Sequence, residues 1–219
     1  MYNNKKIFRK LLNIIYKLYY PIGRILEHKY NKKLRKKLNN KNITIISNNC
    51  IGGVIYYNLG LRFDSPTINT LIKGEDYLVF CAHLKDYLNG ELIKYHDKQC
   101  NYPVGILKAK RHSLPSVRID FVHYKTFKEA KEKWEQRKTR INFNNIFYIW
   151  EFYDELYDNK IIEKFDELEI NKMILLHRNL PQIKNKFIFS FYKNEKDTGK
   201  SIEFKKWSGK KAFKRMGLC

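Results

Sequence analysis

Acidic residues are scarce in this 219-residue chain: 22 Asp and Glu face 44 Lys and Arg, leaving a net charge of +22. The deficit is deepest at the start, where 13 basic residues between Met1 and Lys41 meet a single acid, Glu27. A field of that sign attracts polyanions, whether nucleic acid, an anionic lipid surface or nucleotide-linked substrates. Nucleic acid is the poorest fit. No DNA-reading motif appears, and the basic residues lack the interleaved stacking aromatics that single-strand binders use.

Paired cysteines are missing too. Cys50, Cys81, Cys100 and Cys219 form no Cys-x-x-Cys pair and no metal-ligand spacing, and without a secretory signal they read as free thiols in the cytoplasm. Lys17 and Arg24 interrupt the apolar N-terminal stretch, so it fits neither a signal peptide nor a bilayer span. No phosphate-binding Gly-Lys-Ser/Thr, no dinucleotide fingerprint, no Asp-x-Asp and no internal repeat occurs. "EFKKW" carries a Glu-x-Lys, but Asp197 is poorly placed to complete a nuclease core.

What is present starts with a helical period. Ile7, Leu11, Ile14, Ile15, Leu18, Ile22 and Ile25 share one face, with Lys6, Arg9, Lys10 and Lys17 opposite and Pro21 as a kink. Such a helix either lies in the plane of an anionic membrane surface, through residues 5–37, or packs on the domain. "KYNKKLRKKLNNKN" reads as a basic connector. The division is therefore a helical extension over 1–42 and one domain over 43–219.

Beyond it, strand and helix patterns alternate. "ITIIS", "SVRIDFVHY", "NIFYIWEF", "KMILLH" and "KFIFSFY" read as strands. "GGVIYYNLG", "SPTINTLI", "EDYLVFCAHLKDYLNG", "TFKEAKEKWEQRK" and "NKIIEKFDEL" read as helices, the fourth opened by a capping box of Thr126 and Glu129. The class is three-layer α/β, with a mostly parallel sheet and helices on both faces.

That class locates a candidate site, because ligands of open α/β sheets gather at the carboxyl ends of strands. If "ITIIS" is the first strand, Ser47, Asn48, Asn49 and Cys50 stand at that edge. Gly52 and Gly53 let a backbone pass close to a ligand, and amides of the next helix could hold an anion. Cys50 at a helix start could ionise more readily and attack as a nucleophile, or be a small buried thiol. His123, at the end of its strand, could reach the same edge as a base or hydrogen-bonding group. Arg62 suits a phosphate and Asp64 a sugar hydroxyl, or the two form a local ion pair. His83 belongs to a helix, and Arg140, Asn142 and Asn145 fall where a crossover unit puts structural caps.

The segments "ITIISNNCIGGVIYYNLGLRFDSPTIN", "YPVGIL", "FVHYKTFKEAKEKWEQRKTRINFNNIFYI" and "GKSIEFKKW" together resemble the bacterial family known as domain of unknown function nineteen-nineteen. Its members are often described as exopolysaccharide or capsule biosynthesis proteins. The resemblance implies work on cell-surface polysaccharide, with Asn48, Asn49, Cys50, Gly52, Gly53, Ser65, Pro66, Thr67, His123, Tyr124, Trp134, Arg140 and Asn142 at matching motif positions. An Asn-Cys pair after a first strand is also similar to some polysaccharide acyltransferases. The expectation is acyl or glycosyl transfer at the inner membrane face, with acyl-coenzyme A or a nucleotide sugar as candidate donors and a sugar or lipid-linked saccharide as substrate. A non-catalytic partner or binding module is the alternative.

Overall fold

Continuous β-branched runs make strands that bury both faces, and β1 (Thr44–Ser47) does so along its whole length. The computed structural model describes residue 25 and residues 28–152, 159–176 and 179–188. β1 pairs in parallel with β5 (Ile146–Phe152), which pairs in parallel with β6 (Lys172–Leu176) and then β7 (Lys186–Ile188). The strand order β1-β5-β6-β7 gives a four-stranded parallel sheet.

Alternation along these strands assigns the two faces. Ile45, Phe147, Ile149, Met173 and Leu175 join one buried cluster with Ile51, Ile55 and Leu59 of helix α2 (Ile51–Leu59) and Leu34 of helix α1 (28–36). Ile46, Tyr148, Trp150, Phe152, Ile174 and Leu176 face the other way. They pack with α3 (Gly74–Ala82), α4 (Leu84–Leu88), α5 (Phe127–Lys138) and α6 (Asn159–Glu167). Tyr77 of α3 and Phe165 of α6 lie 5.3 and 4.9 Å from the Trp150 ring. The expected α/β class, with helices on both faces of a parallel sheet, holds.

β1 is an edge strand, and side chains satisfy the backbone groups it would otherwise leave open. The Tyr56 hydroxyl accepts from Ile45 N at 2.8 Å and donates to Ile43 O at 3.1 Å, while Thr67 Oγ1 accepts from Ser47 N at 3.1 Å. α2 then stops at Gly60, whose φ of 66° suits a residue without Cβ. Arg35 of α1 closes the same helix end, donating to the carbonyls of Asn58 and Tyr57 at 2.9 and 3.0 Å.

Several elements differ from the sequence expectation. "SVRIDFVHY" supplies only β4 (Val117–Asp120), in a second, antiparallel sheet with β2 (Glu91–Tyr95) and β3 (Val104–Lys108). β2 and β3 escaped notice because they are short and, in β2, only Leu92 is buried. "SPTINTLI" is a turn, not a helix. Its hydroxyls bond locally (Ser65 Oγ with Thr67 N at 3.3 Å, Thr70 Oγ1 with Thr67 O at 2.9 Å), and Asn69 takes a left-handed φ of 64°. The helix over "EDYLVFCAHLKDYLNG" breaks at His83, whose ψ of 35° leaves the helical range. The supposed connector is helical over 28–36, with Leu34 and Leu38 buried. Of the amphipathic stretch 7–26 only Ile25 is described, helical and exposed; the rest, and the end of "KFIFSFY", fall outside the described residues.

α5 joins the two sheets' common core. Thr126 Oγ1 caps it by accepting from Glu129 N at 3.2 Å, and Trp134 packs 6.2 Å from Phe80 and 6.3 Å from Phe121. Among the described residues no helix is long and apolar enough to cross a membrane. In urea denaturation, Trp134→Ala should cost about 3–5 kcal/mol and Thr126→Ala about 1 kcal/mol. Equal costs would contradict the placement of Trp134 at the centre of the core.

Candidate functional site

The helix after β1 packs on one face of the parallel sheet and the helix after β5 on the other, so the carboxyl ends of these neighbouring strands form a switch point. The chain answers that geometry with Asn48. Its Nδ2 donates to Glu151 O at 2.9 Å, and its Oδ1 accepts from Glu151 N at 2.9 Å. One side-chain amide thus extends the β1–β5 ladder past the end of β1. Asn49 Nδ2 donates to Glu151 Oε2 at 2.7 Å, while its Oδ1 accepts from Ile51 N at 2.9 Å. Ser47 Oγ donates to Asn49 O at 2.7 Å and accepts from Gly52 N at 3.2 Å.

Ser47, Asn48 and Asn49 are therefore buried, and their polar atoms serve protein partners. Two of the first-turn amides of α2, expected to be open to an anion, are likewise taken by Asn49 and Ser47. Gly52 is there for contact, not for ligand access: a Cβ would lie 2.5 Å from Ser47 Oγ. Arg62 and Asp64 form an ion pair at 2.6 Å with Arg62 largely exposed, and neither lines the cleft.

In front of this sealed corner lies a cleft of about 430 Å³. α2 contributes Cys50, Gly53, Val54, Tyr57 and Asn58, which recur at helical spacing along one side of the helix. α1 contributes His28, Asn31 and Arg35, and the loops add Phe63, Asn69 and His123. Cys50 and His123 do share one cavity, although β4 stops three residues before His123. His123 stands exposed in the following turn, where Tyr124 N donates to Phe121 O at 3.1 Å. Among the described residues, no Asp or Glu lines the cleft and no cluster of metal-holding side chains occurs.

Sequence reasoning missed most of the rim. On the α2 side Gly53 was named with Cys50, and Val54, Tyr57 and Asn58 were within reach by the 3.6-residue period. Asn69, Phe63 and the three α1 residues carry no local signal.

Electrostatics redirect the role of Cys50. Burial, and secondarily the charge of Glu151, push its thiol up to about 11, opposite to the lowered value a nucleophile at a helix start needs. Tyr124 is also raised, chiefly by burial and against the pull of Arg137; Cys50 is among the groups it senses. Its hydroxyl donates to Ile68 O at 3.0 Å and accepts from Arg137 Nη1 at 2.6 Å.

A family profile described as Domain of unknown function (DUF1919) matches residues 22–218. A Haemophilus influenzae protein described as uncharacterized is 32% identical over 184 residues, covering 84% of this chain and 85% of that protein.

Two measurements check the site. The folded thiol of Cys50 ionises above the unfolded one, so the fold favours its neutral form and loses that preference as pH rises from 9 through about 11. Peptide-mapped alkylation at pH 8 should leave Cys50 slower than in the urea-unfolded chain, with the rate rising towards pH 11; Glu151→Gln should lower that midpoint. Fast labelling at pH 8 would contradict this environment. Gly52→Ala should destabilise the chain by about 1–3 kcal/mol through the Ser47 contact, measured by thermal unfolding, and an unchanged Tm would refute the close approach.

Proposed function

The chain belongs to the family described as Domain of unknown function (DUF1919), and on that premise we propose that it is a transferase of cell-surface polysaccharide assembly with the α1–α2 cleft as its donor site. One observation carries the reading: Cys50 and His123, from segments far apart in sequence, meet in a single cleft at the carboxyl edge of β1. A volume of about 430 Å³ suits the reacting end of a nucleotide sugar or acyl-coenzyme A. The polymer class rests on the family resemblance.

Group transfer to a sugar hydroxyl needs a base for the departing proton. Among the described residues the cleft has two exposed imidazoles, His28 on α1 and His123, and we assign that role to His123, the one carried by a loop. Cys50, held protonated, acts as a neutral hydrogen-bonding group and not as an attacking thiolate, so transfer runs directly from donor to acceptor. Lys29, Lys32, Lys33, Lys36 and Lys37 form an exposed stripe on and just after α1. Together with the basic residues before them, they support attachment to the anionic inner face of the cytoplasmic membrane.

A second reading, a binding module without turnover, draws on the same protonated thiol. A thermal-shift screen of nucleotide sugars and acyl-coenzyme A selects the donor, and labelled transfer into surface polysaccharide separates the readings. His123→Ala should lower transfer by about 10²–10⁴-fold with donor binding retained, while Cys50→Ser stays within about tenfold of wild type. Loss on Cys50→Ser alone would overturn the direct route. Unchanged polysaccharide in a double variant would favour the binding module.

A further inference from the structure

We propose that the cleft takes a phosphate-bearing ligand, most simply a diphosphate, whose negative charge is the counter-ion of the buried Arg137. The proposal rests on the reading of the cleft as a ligand site and gives that ligand its chemistry. Arg137 is only 9% exposed, yet no carboxylate pairs with it among the described residues. Nη1 donates to Tyr124 Oη at 2.6 Å and to Ile68 O at 3.4 Å, and the guanidinium stacks 5.7 Å from the centre of the Phe63 ring. These contacts offset part of the desolvation of a full charge and neutralise none of it.

Arg137 does not itself line the cleft, but each group that grips it lines the cleft or adjoins a residue that does. Phe63 lines the cleft wall, Ile68 precedes the lining Asn69, and Tyr124 follows the lining His123. Arg140 reaches the Phe63 carbonyl at 3.4 Å, so a second guanidinium stands behind the same wall. The rim adds Arg35, His28 and His123 and, among the described residues, no acid. Nearby carboxylates are engaged elsewhere: Asp64 with Arg62, Glu151 with Asn49, and Glu129 with the Lys125 amide. The same contacts also orient a donor. Tyr124 and Arg137 hold the Ile68 carbonyl, and in a trans peptide the following N–H, that of Asn69, points the opposite way.

A low-dielectric wall holding uncompensated positive charge discriminates for a multiply charged ligand over a neutral saccharide. A nucleoside diphosphate and a lipid diphosphate share that chemistry.

Isothermal titration of the full chain with inorganic pyrophosphate, at fixed and then raised salt, tests the assignment. Binding should weaken with salt, fall by about tenfold or more in Arg137→Gln, and return in Arg137→Lys. Hydrogen exchange of the wild type should show pyrophosphate slowing amides within 51–54 and 63–70, which decides the matter even if Arg137→Gln does not fold. Undiminished binding in a folded Arg137→Gln, or protection confined to the lysines of α1, would overturn the proposal. Uridine diphosphate and farnesyl diphosphate then tell the two sources apart. Pyrophosphate binding without any transfer would sink the transferase reading alone; transfer from a neutral donor without pyrophosphate binding would sink this one alone.

Discussion

Where β1 ends, two backbone groups of Glu151 in the neighbouring strand lose their ladder partners, and the side-chain amide of Asn48 replaces both. An unanswered buried N–H or C=O costs on the order of 1–3 kcal/mol each, so this substitution fixes how β1 leaves the sheet. Asn49 and Ser47 then anchor the chain to the Glu151 carboxylate and to the first turn of α2. Cys50 is consequently held on the lining of a cleft that lies in front of a buried, hydrogen-bonded polar corner. The corner is a foundation, and the ligand-facing surface is one layer further out.

That layering accounts for the chemistry assigned to each residue. Burial first, and then the Glu151 charge that anchors Asn49, push the Cys50 thiol up, so the environment that secures the fold disfavours a thiolate nucleophile. The proposed proton transfer is assigned instead to His123, which is exposed outside the hydrogen-bonded corner. Arg137 couples the turn containing Asn69 to the turn containing His123 through the Ile68 carbonyl and the Tyr124 hydroxyl. A ligand that meets one of these turns feels both at once.

Much of the fold was legible in the sequence because its signals were local. The unbroken apolar runs of β1, β5 and β6, the Thr126–Glu129 cap and the Gly60 stop each reflect neighbours a few residues apart. The meeting of Cys50 with His123 was expected on a premise the structure corrects: β4 belongs to the antiparallel sheet and stops at Asp120, and the turn after it brings His123 to the cleft. The internal use of Asn48 and Asn49 was not, because their partner Glu151 lies 103 and 102 residues away. Hydroxyls overrode a plausible helix at Ser65–Thr70 through equally local bonds whose geometry the residue types alone do not specify. The role of α1 was hidden by its lysines, which conceal a buried Leu34 and Leu38 and an arginine that closes α2.

The claim on which the account turns is that this cleft, and no other surface, receives the donor. A crystal structure of the full chain grown with whichever donor most raises its Tm tests that directly. The account predicts ligand density bounded by α1, α2, Asn69 and His123, with its charged end against the Phe63 wall. Density elsewhere, with the cleft holding only solvent, would contradict it.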